Sequence, residues 1–218
     1  MVRNAWLVPL MVFALVGIAP APRATAEDQT SPEQASRFIQ DLGSRTVTLL
    51  TAYHDNDARQ LQQRLRDLIR EGFDLDMISR FALGATWQTA TPAQRQEYQA
   101  LFAAWAVESY ARQLGADKGG SLTVLGAQAG SEQLGPNTAD AIVHTRLNRA
   151  NGPSMDADLR VRDSAGRMKI VDVTMDGVSM DVTQRDEFAS IIRRKGLTGL
   201  IGDLKARTDR PAVETARQ

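Results

Sequence analysis

Between Asp140 and Arg162 the side chains alternate with a period of two. Ala141, Val143, Thr145 and Leu147 fall on one side, against Asp140, Ile142, His144, Arg146 and Asn148 on the other. Met155, Ala157, Leu159 and Val161 repeat the pattern against Ser154, Asp156, Asp158, Arg160 and Arg162. Successive side chains of a strand point to opposite faces, so each run reads as a strand with one apolar and one wet face. Asn151-Gly152-Pro153 and Asp163-Ser164-Ala165-Gly166 are turn sequences. Strands joined by turns this short are antiparallel neighbours, because a parallel pair needs a long crossover. The apolar side of such a meander must be covered, and that requirement constrains the rest of the chain.

The period of two begins at Leu122. Met168 to Met175 continues the strands but breaks the alternation, since Ile170, Val171 and Val173 occupy both faces. A central or strongly bent strand accounts for that. Gly177 punctuates the run. Val178, Met180 and Val182 then alternate with Ser179, Asp181 and Thr183, which reads as a further extended segment. Thr183 is an expected helix N-cap, with Asp186 and Glu187 in the first turn, where carboxylates complement the helix dipole.

Helices supply the cover. Ser31 and Pro32 are a cap and a first helical residue, followed by an apolar stripe from Phe38 to Tyr53. Loop residues that include His54 follow. A second helix carries Leu61, Leu65, Leu68 and Ile69 on one face, with Arg59, Arg64, Arg66 and Arg70 elsewhere, and ends at Glu71-Gly72. A short apolar helix spans Phe73 to Leu83 and closes at Gly84. Thr91, Pro92 and Gln94 form a capping box for a helix running to Leu114 and stopping at Gly115. Leu101 to Val107 is continuously apolar, so that helix is covered on more than one side. It is either a central core helix or one with core on one face and a ligand cavity on the other. After the sheet, Phe188, Ile191 and Ile192 mark one helix, Gly196 breaks it, and Leu197, Leu200, Ile201 and Leu204 mark another. The fold class is α+β. We expect a curved antiparallel sheet of about four or five strands with N-terminal and C-terminal helices against its concave side.

The N-terminus stands apart. Arg3 precedes an apolar run from Leu7 to Ala19, Pro20 and Pro22 break it, and Ala24-Thr25-Ala26 fits a small-x-small cleavage site. This reads as a secretory signal peptide over residues 1–26. The rival reading is a membrane anchor, but the run is short for a span and carries Pro9 and Gly17. Residues 27–207 are then one domain, and 208–218 a polar, disordered tail. Loss of Arg3 and Arg23 from 26 basic residues leaves 24 against 26 acids, a net of −2, which is no footprint for nucleic acid. The chain has no cysteine, so disulfides, thiolate metal sites and a lipidated cysteine are excluded.

Candidate chemistry is sparse. His54 and His144 lack partners for a metal site or a base, and each reads as a surface histidine. Asp172 and Asp176 share a strand face about 13 Å apart by strand rise, too far for a paired-carboxylate mechanism. Asp176 before Gly177 is the simpler reading, a turn residue. No phosphate loop, nucleophile elbow or metal spacing is present. The arginines of the second helix either face an anionic lipid or partner, or form a solvated face. Phe73, Phe81, Trp87, Tyr98, Phe102, Trp105 and Tyr110 are concentrated in one third of the chain, as core or as the lining of an apolar ligand cavity.

Phe73-Asp74-Leu75-Asp76-Met77-Ile78-Ser79-Arg80-Phe81-Ala82-Leu83-Gly84, then Trp87, then Ala90-Thr91-Pro92-Ala93-Gln94-Arg95, resembles the first signature of the MlaC, or toluene-tolerance, family. Val171-Asp172-Val173, Asp176-Gly177-Val178-Ser179 and Arg185-Asp186-Glu187-Phe188 resemble its second, and the ordered set covers nearly all of residues 35–207. The resemblance implies a monomeric periplasmic phospholipid carrier with no catalysis, no cofactor and no metal. Acyl chains would lie inside and the headgroup near the mouth. The implied partners are an inner-membrane Mla ABC transporter complex and an outer-membrane lipoprotein–porin complex, and the implied role is maintenance of outer-membrane lipid asymmetry. The pocket wall would draw on Phe73, Met77, Phe81, Trp87, Leu101, Phe102 and Trp105 from the helices. Val143, Leu147, Leu159, Val161, Ile170 and Val173 would contribute from the sheet, and Val178 and Ile191 from beyond it. The alternatives are a hopanoid carrier of the same family, a small α+β enzyme using Asp172 or Asp176 as a base, and a binder of a polar solute, for which a second lobe is missing.

Overall fold

The computed structural model describes residues 30–52, 58–116, 119–130, 140–150, 152–164 and 166–208. The expected leader, residues 53–57 with His54, and residues 209–218 of the expected tail lie outside the described residues. The elements in order are α1 (Pro32–Ala52), α2 (Ala58–Gly72), α3 (Leu75–Leu83), α4 (Thr86–Thr89), α5 (Pro92–Ala116), β1 (Ser121–Ala129), β2 (Ala141–Asn148), β3 (Met155–Ser164), β4 (Arg167–Met175), β5 (Val178–Ser179) and α6 (Met180–Thr208). The fold is α+β. Its strands form one antiparallel sheet, curved and unclosed, in the order β1-β2-β3-β4-β5.

The alternation of β2 and β3 carries straight into burial. Ala141, Val143, Thr145, Ala157, Leu159 and Val161 are buried, with Val143 opposite Leu159 and Ala141 opposite Val161 in the register. The buried Thr145 hydroxyl donates to the Ala157 carbonyl at 2.7 Å, which removes the cost of burying it. On the wet face His144 and Asp158 pair across the strands, with Nδ1 2.7 Å from Oδ1. The irregular β4 has a specific cause. Arg160 pairs with Asp172 and Val161 with Ile170, so Val171 is an extra residue, a β-bulge. The bulge resets the phase, and Ile170 and Val171 are both buried. A second bulge between Val124 and Gly126 leaves Leu125 unpaired and 53% exposed.

Several helix ends follow their local chemistry. Thr91 and Gln94 exchange both capping-box bonds, at 3.0 and 3.2 Å. The Gln34 amide donates to Ser31 Oγ at 3.4 Å at the start of α1. Others differ from the sequence reading. The short helix begins at Leu75 rather than Phe73, because Asp74 is its N-cap and accepts from the Met77 amide at 2.9 Å. Phe73 instead forms a parallel bridge to Ile170, and the Asp74 amide donates to the Ile170 carbonyl. Helix α5 passes through Gly115 to Ala116. The extended segment expected through Val182 ends at Ser179. Ser179, not Thr183, caps α6: its Oγ accepts from the Val182 amide at 3.1 Å, and Thr183 lies inside the helix. The cause lies one turn upstream. Asp176 (φ 49°) and Gly177 (φ 80°) form a two-residue hairpin turn that ends the strand early and leaves Val178 57% exposed. Gly196 does interrupt the final helix, at φ 69° and ψ 178°.

The apolar interior comprises three clusters. In the first, α3, α5 and α6 bury Tyr98, Phe102, Phe188, Leu200 and Leu204. In the second, Ala35 and Ile39 of α1 pack on Val143, Leu159, Val161 and Ile170 of the sheet. In the third, α1, α2 and α5 bury Leu50, Leu61, Leu65, Ile69, Val107 and Ala111. Phe73 packs against the second and third clusters, and Leu75 against the first and third.

Candidate functional site

Where the three clusters meet, they leave a cavity of about 20 Å³, room for about one water. Its apolar wall is Phe73, Leu75, Ile78, Phe102 and Ala106, with Val173 from β4 and Met180 from the start of α6. The Phe73 and Tyr110 rings stack, centroids 6.3 Å apart and planes 9° from parallel. One side of the wall is polar: Asp172, Asp181 and Tyr110 converge there. Asp172 Oδ1 accepts from the Val173 amide at 2.8 Å and the Asp181 amide at 3.2 Å, tying β4 to the first turn of α6.

Asp181 is the unusual group. Burial first, and the neighbouring Asp172 charge second, push its carboxyl up to about 8, against an opposing pull from Arg160. Arg160 stands across from Asp172 in the β3–β4 register. The Tyr110 phenol is also raised, by burial and then by Asp181 and Asp172. A folded-state value above that of an unfolded aspartate means that the folded protein holds the extra proton between about pH 4 and 8. The contribution of Asp181 to stability is therefore fully present at the acidic end of that window and is lost as pH rises through it. Asp181→Asn removes the titration, so its Tm should exceed that of the parent at pH 8 and converge with it below pH 5. Each kcal/mol relieved should appear as about 2–4 °C. Melting curves of both proteins across this range test it, and a difference independent of pH would contradict it.

Of the residues expected at a pocket wall, Phe73, Phe102 and Val173 line this cavity. Val143, Leu159, Val161 and Ile170 are buried under α1 in the second cluster. Ile191 is buried in the first, with Leu101, Trp87 and Trp105 partly buried against it. Met77 packs beside Arg162, whose Nη1 lies 3.0 Å from its Sδ. Phe81 sits under the Arg185 guanidinium at 5.4 Å. Leu147 is half-buried in the last turn-ward residues of β2. Val178 lies exposed beyond the hairpin. Of the two carboxylates singled out, Asp172 lines the cavity and Asp176 stays in the turn.

The sequence reading missed Asp181, which it placed on the wet face of an extended segment. It also put Asp140 and Arg162 on the wet side of the meander, whereas both are buried, at 1% and 3% exposure. Arg162 Nε and Nη2 meet the two Asp140 carboxylate oxygens at 2.6 and 2.9 Å. No local signal distinguishes these acids and bases from their solvated neighbours; only the pairing does.

Among the described residues no group of acids and histidines is arranged to hold a metal ion, and no helix is long and apolar enough to cross a membrane. Fold and site together define an α+β protein whose sheet and helices enclose an apolar cavity with a carboxylate edge. The MlaC protein family matches residues 40–206, and the chain belongs to that family. A solved structure of the phospholipid-binding protein from Ralstonia solanacearum, in complex with a phospholipid, shares the fold. Identity is 24%, coverage is 80% of this chain and 96% of that one, and the TM-score is 0.66.

Proposed function

We propose that this protein is a phospholipid carrier of the periplasm, exported through a leader over residues 1–26. It takes the acyl chains of a phospholipid into its apolar interior and shuttles the lipid between an outer-membrane lipoprotein–porin complex and an inner-membrane Mla ABC transporter complex. The lipid is cargo, no cofactor takes part, and the outcome is maintenance of outer-membrane lipid asymmetry. The observation that carries this reading is the meeting of three apolar clusters around one cavity between sheet and helices. Family membership supports it, as does the phospholipid in the Ralstonia relative.

Exposing acyl chain to water costs about 0.8 kcal/mol per methylene, so a diacyl lipid needs a protein interior to cross an aqueous space. The cavity at about 20 Å³ is far below that volume. Loading therefore parts the clusters where they join, at Phe73 and Leu75, and lipid contact replaces the contact between them. The test is mass spectrometry of the purified protein, native and after solvent extraction. Phospholipid recovered near one molecule per chain is the expected result. Protein that neither retains phospholipid nor acquires it from vesicles would refute the carrier reading, and a co-purifying hopanoid would redirect it to that branch of the family.

A further inference from the structure

Phe73 and Leu75 have a second side. On it lies an open groove of about 440 Å³ that also carries Arg70, Arg167 and Lys169. The same two apolar residues thus line both a small apolar cavity and a larger groove that carries three cations. We infer that Arg70, Arg167 and Lys169 form a phosphodiester subsite, which holds the phosphate of a lipid whose acyl chains enter past Phe73 and Leu75. This rests on the carrier reading above and names the headgroup chemistry of the same site.

The arrangement follows from the elements. Arg70 projects from the last turn of α2, where it is exposed. Arg167 and Lys169 are two residues apart on β4, hence on one face of the strand. Lys169 Nζ donates to the carbonyls of Arg70 and Glu71 at the end of α2, which holds the ammonium beside Arg70. The nearby charges leave the arginines available. Glu71 is engaged by Arg45 through two bonds of 2.6 Å. Asp74 lines the groove, but its carboxylate caps α3. Asp76 also lines it and is exposed. Arg70 has one loose ion pair, to Asp67 at 3.5 Å with both side chains 53% exposed. Such a pair contributes little and yields easily. Arg167 is exposed and makes no ion pair within 4.0 Å among the described residues.

Planar guanidinium groups bind phosphate oxygens two at a time, and charged donors make the stronger hydrogen bonds. A free phosphate would engage the cations alone. A phospholipid engages the cations and, across Phe73 and Leu75, the apolar interior, so its two chemistries match the two sides of one wall.

The test uses the full-length mature chain, delipidated, and its Arg70→Ala/Arg167→Ala variant, which leaves the Lys169 contacts with α2 intact. Three probes are titrated: a short-chain phosphatidylglycerol, the diacylglycerol with the same chains, and inorganic phosphate. We expect the variant to bind phosphatidylglycerol about 10- to 100-fold more weakly than the parent, with diacylglycerol affinity unchanged and an unaltered Tm. Arg167→Lys, which keeps the charge but gives up the planar fork, should bind phosphatidylglycerol with an affinity between those of the parent and the double variant. Equal phosphatidylglycerol affinity in parent and variant overturns the subsite while leaving the carrier reading standing. Inorganic phosphate bound by the parent as tightly as phosphatidylglycerol would make it a free-anion site and overturn the proposal. A parent that binds neither acylated probe refutes the carrier reading, and the subsite with it.

Discussion

Arg162→Ala is expected to destabilise the protein by about 3–5 kcal/mol, the cost of removing one member of a buried ion pair. Asp140 has no exposed side-chain area and Arg162 has 3%, and the Nε–Nη2 edge of the guanidinium meets both carboxylate oxygens. Removing the guanidinium leaves a carboxylate in the interior with Arg160 at 3.6 Å as its remaining cation. The same side chain touches Met77 of α3, so the sheet also loses a contact with the helix that carries the cavity wall. For a chain of this size the loss should lower Tm by about 6–20 °C. The double variant Asp140→Leu/Arg162→Met should be much milder, because apolar residues of similar volume replace a buried pair without leaving a charge behind. Thermal or urea unfolding of the three proteins decides it. A single variant melting within about 2 °C of the parent would mean that the pair is well hydrated and that its burial contributes little.

Phe188→Ala should produce a loss of similar size, about 3–5 kcal/mol, by a different route. Phe188 is 0% exposed, and its ring centroid lies 6.1–6.2 Å from those of Tyr98, Phe102 and Trp105. The contacts with Tyr98 and Phe102 are edge-to-face, at 81° and 89°, the geometry that aromatic quadrupoles favour. Tyr98 is fixed in turn by its hydroxyl, which donates to the Ser79 carbonyl at 2.9 Å. The ring at 188 thus joins α6 to α5, and its deletion leaves a hole the fixed neighbours cannot fill. Phe188→Leu should recover a large part of the stability. Were the alanine variant to lose less than about 1 kcal/mol in urea unfolding, the first cluster would be collapsible rather than rigid.

The meander was legible because Val143, Leu159 and their alternating neighbours obey a rule that is local. So were the start of α5 at Thr91, the start of α1 at Ser31 and the break at Gly196, each set by a residue and its near neighbours. The bulge at Val171 was visible only as a broken pattern, since a strand with apolar residues on both faces has several causes. Thr183 was misread as a cap because Ser179 offers the same hydroxyl and the hairpin turn at Asp176-Gly177 brings it into place first. The site was harder to see. Asp181, Asp140 and Arg162 gain their character from residues distant in sequence, and an alternation rule assigns all three to water. Arg70, Arg167 and Lys169 come from two separate elements, and nothing in either segment says that they share a groove.

Phe73 is held to β4 by its backbone, through its bridge to Ile170 and the Asp74 amide, while its ring belongs to the interface between clusters. Main chain and side chain at this position therefore answer to different clocks. A ring can change rotamer in nanoseconds and a helix can shift against its neighbours in microseconds to milliseconds, whereas peeling a paired backbone from a sheet requires local unfolding. In the proposed carrier, cargo passing Phe73 by ring and helix movement would leave the strand ladder intact, so turnover would be uncoupled from the slow opening events that would expose the sheet to proteases and to its own kind.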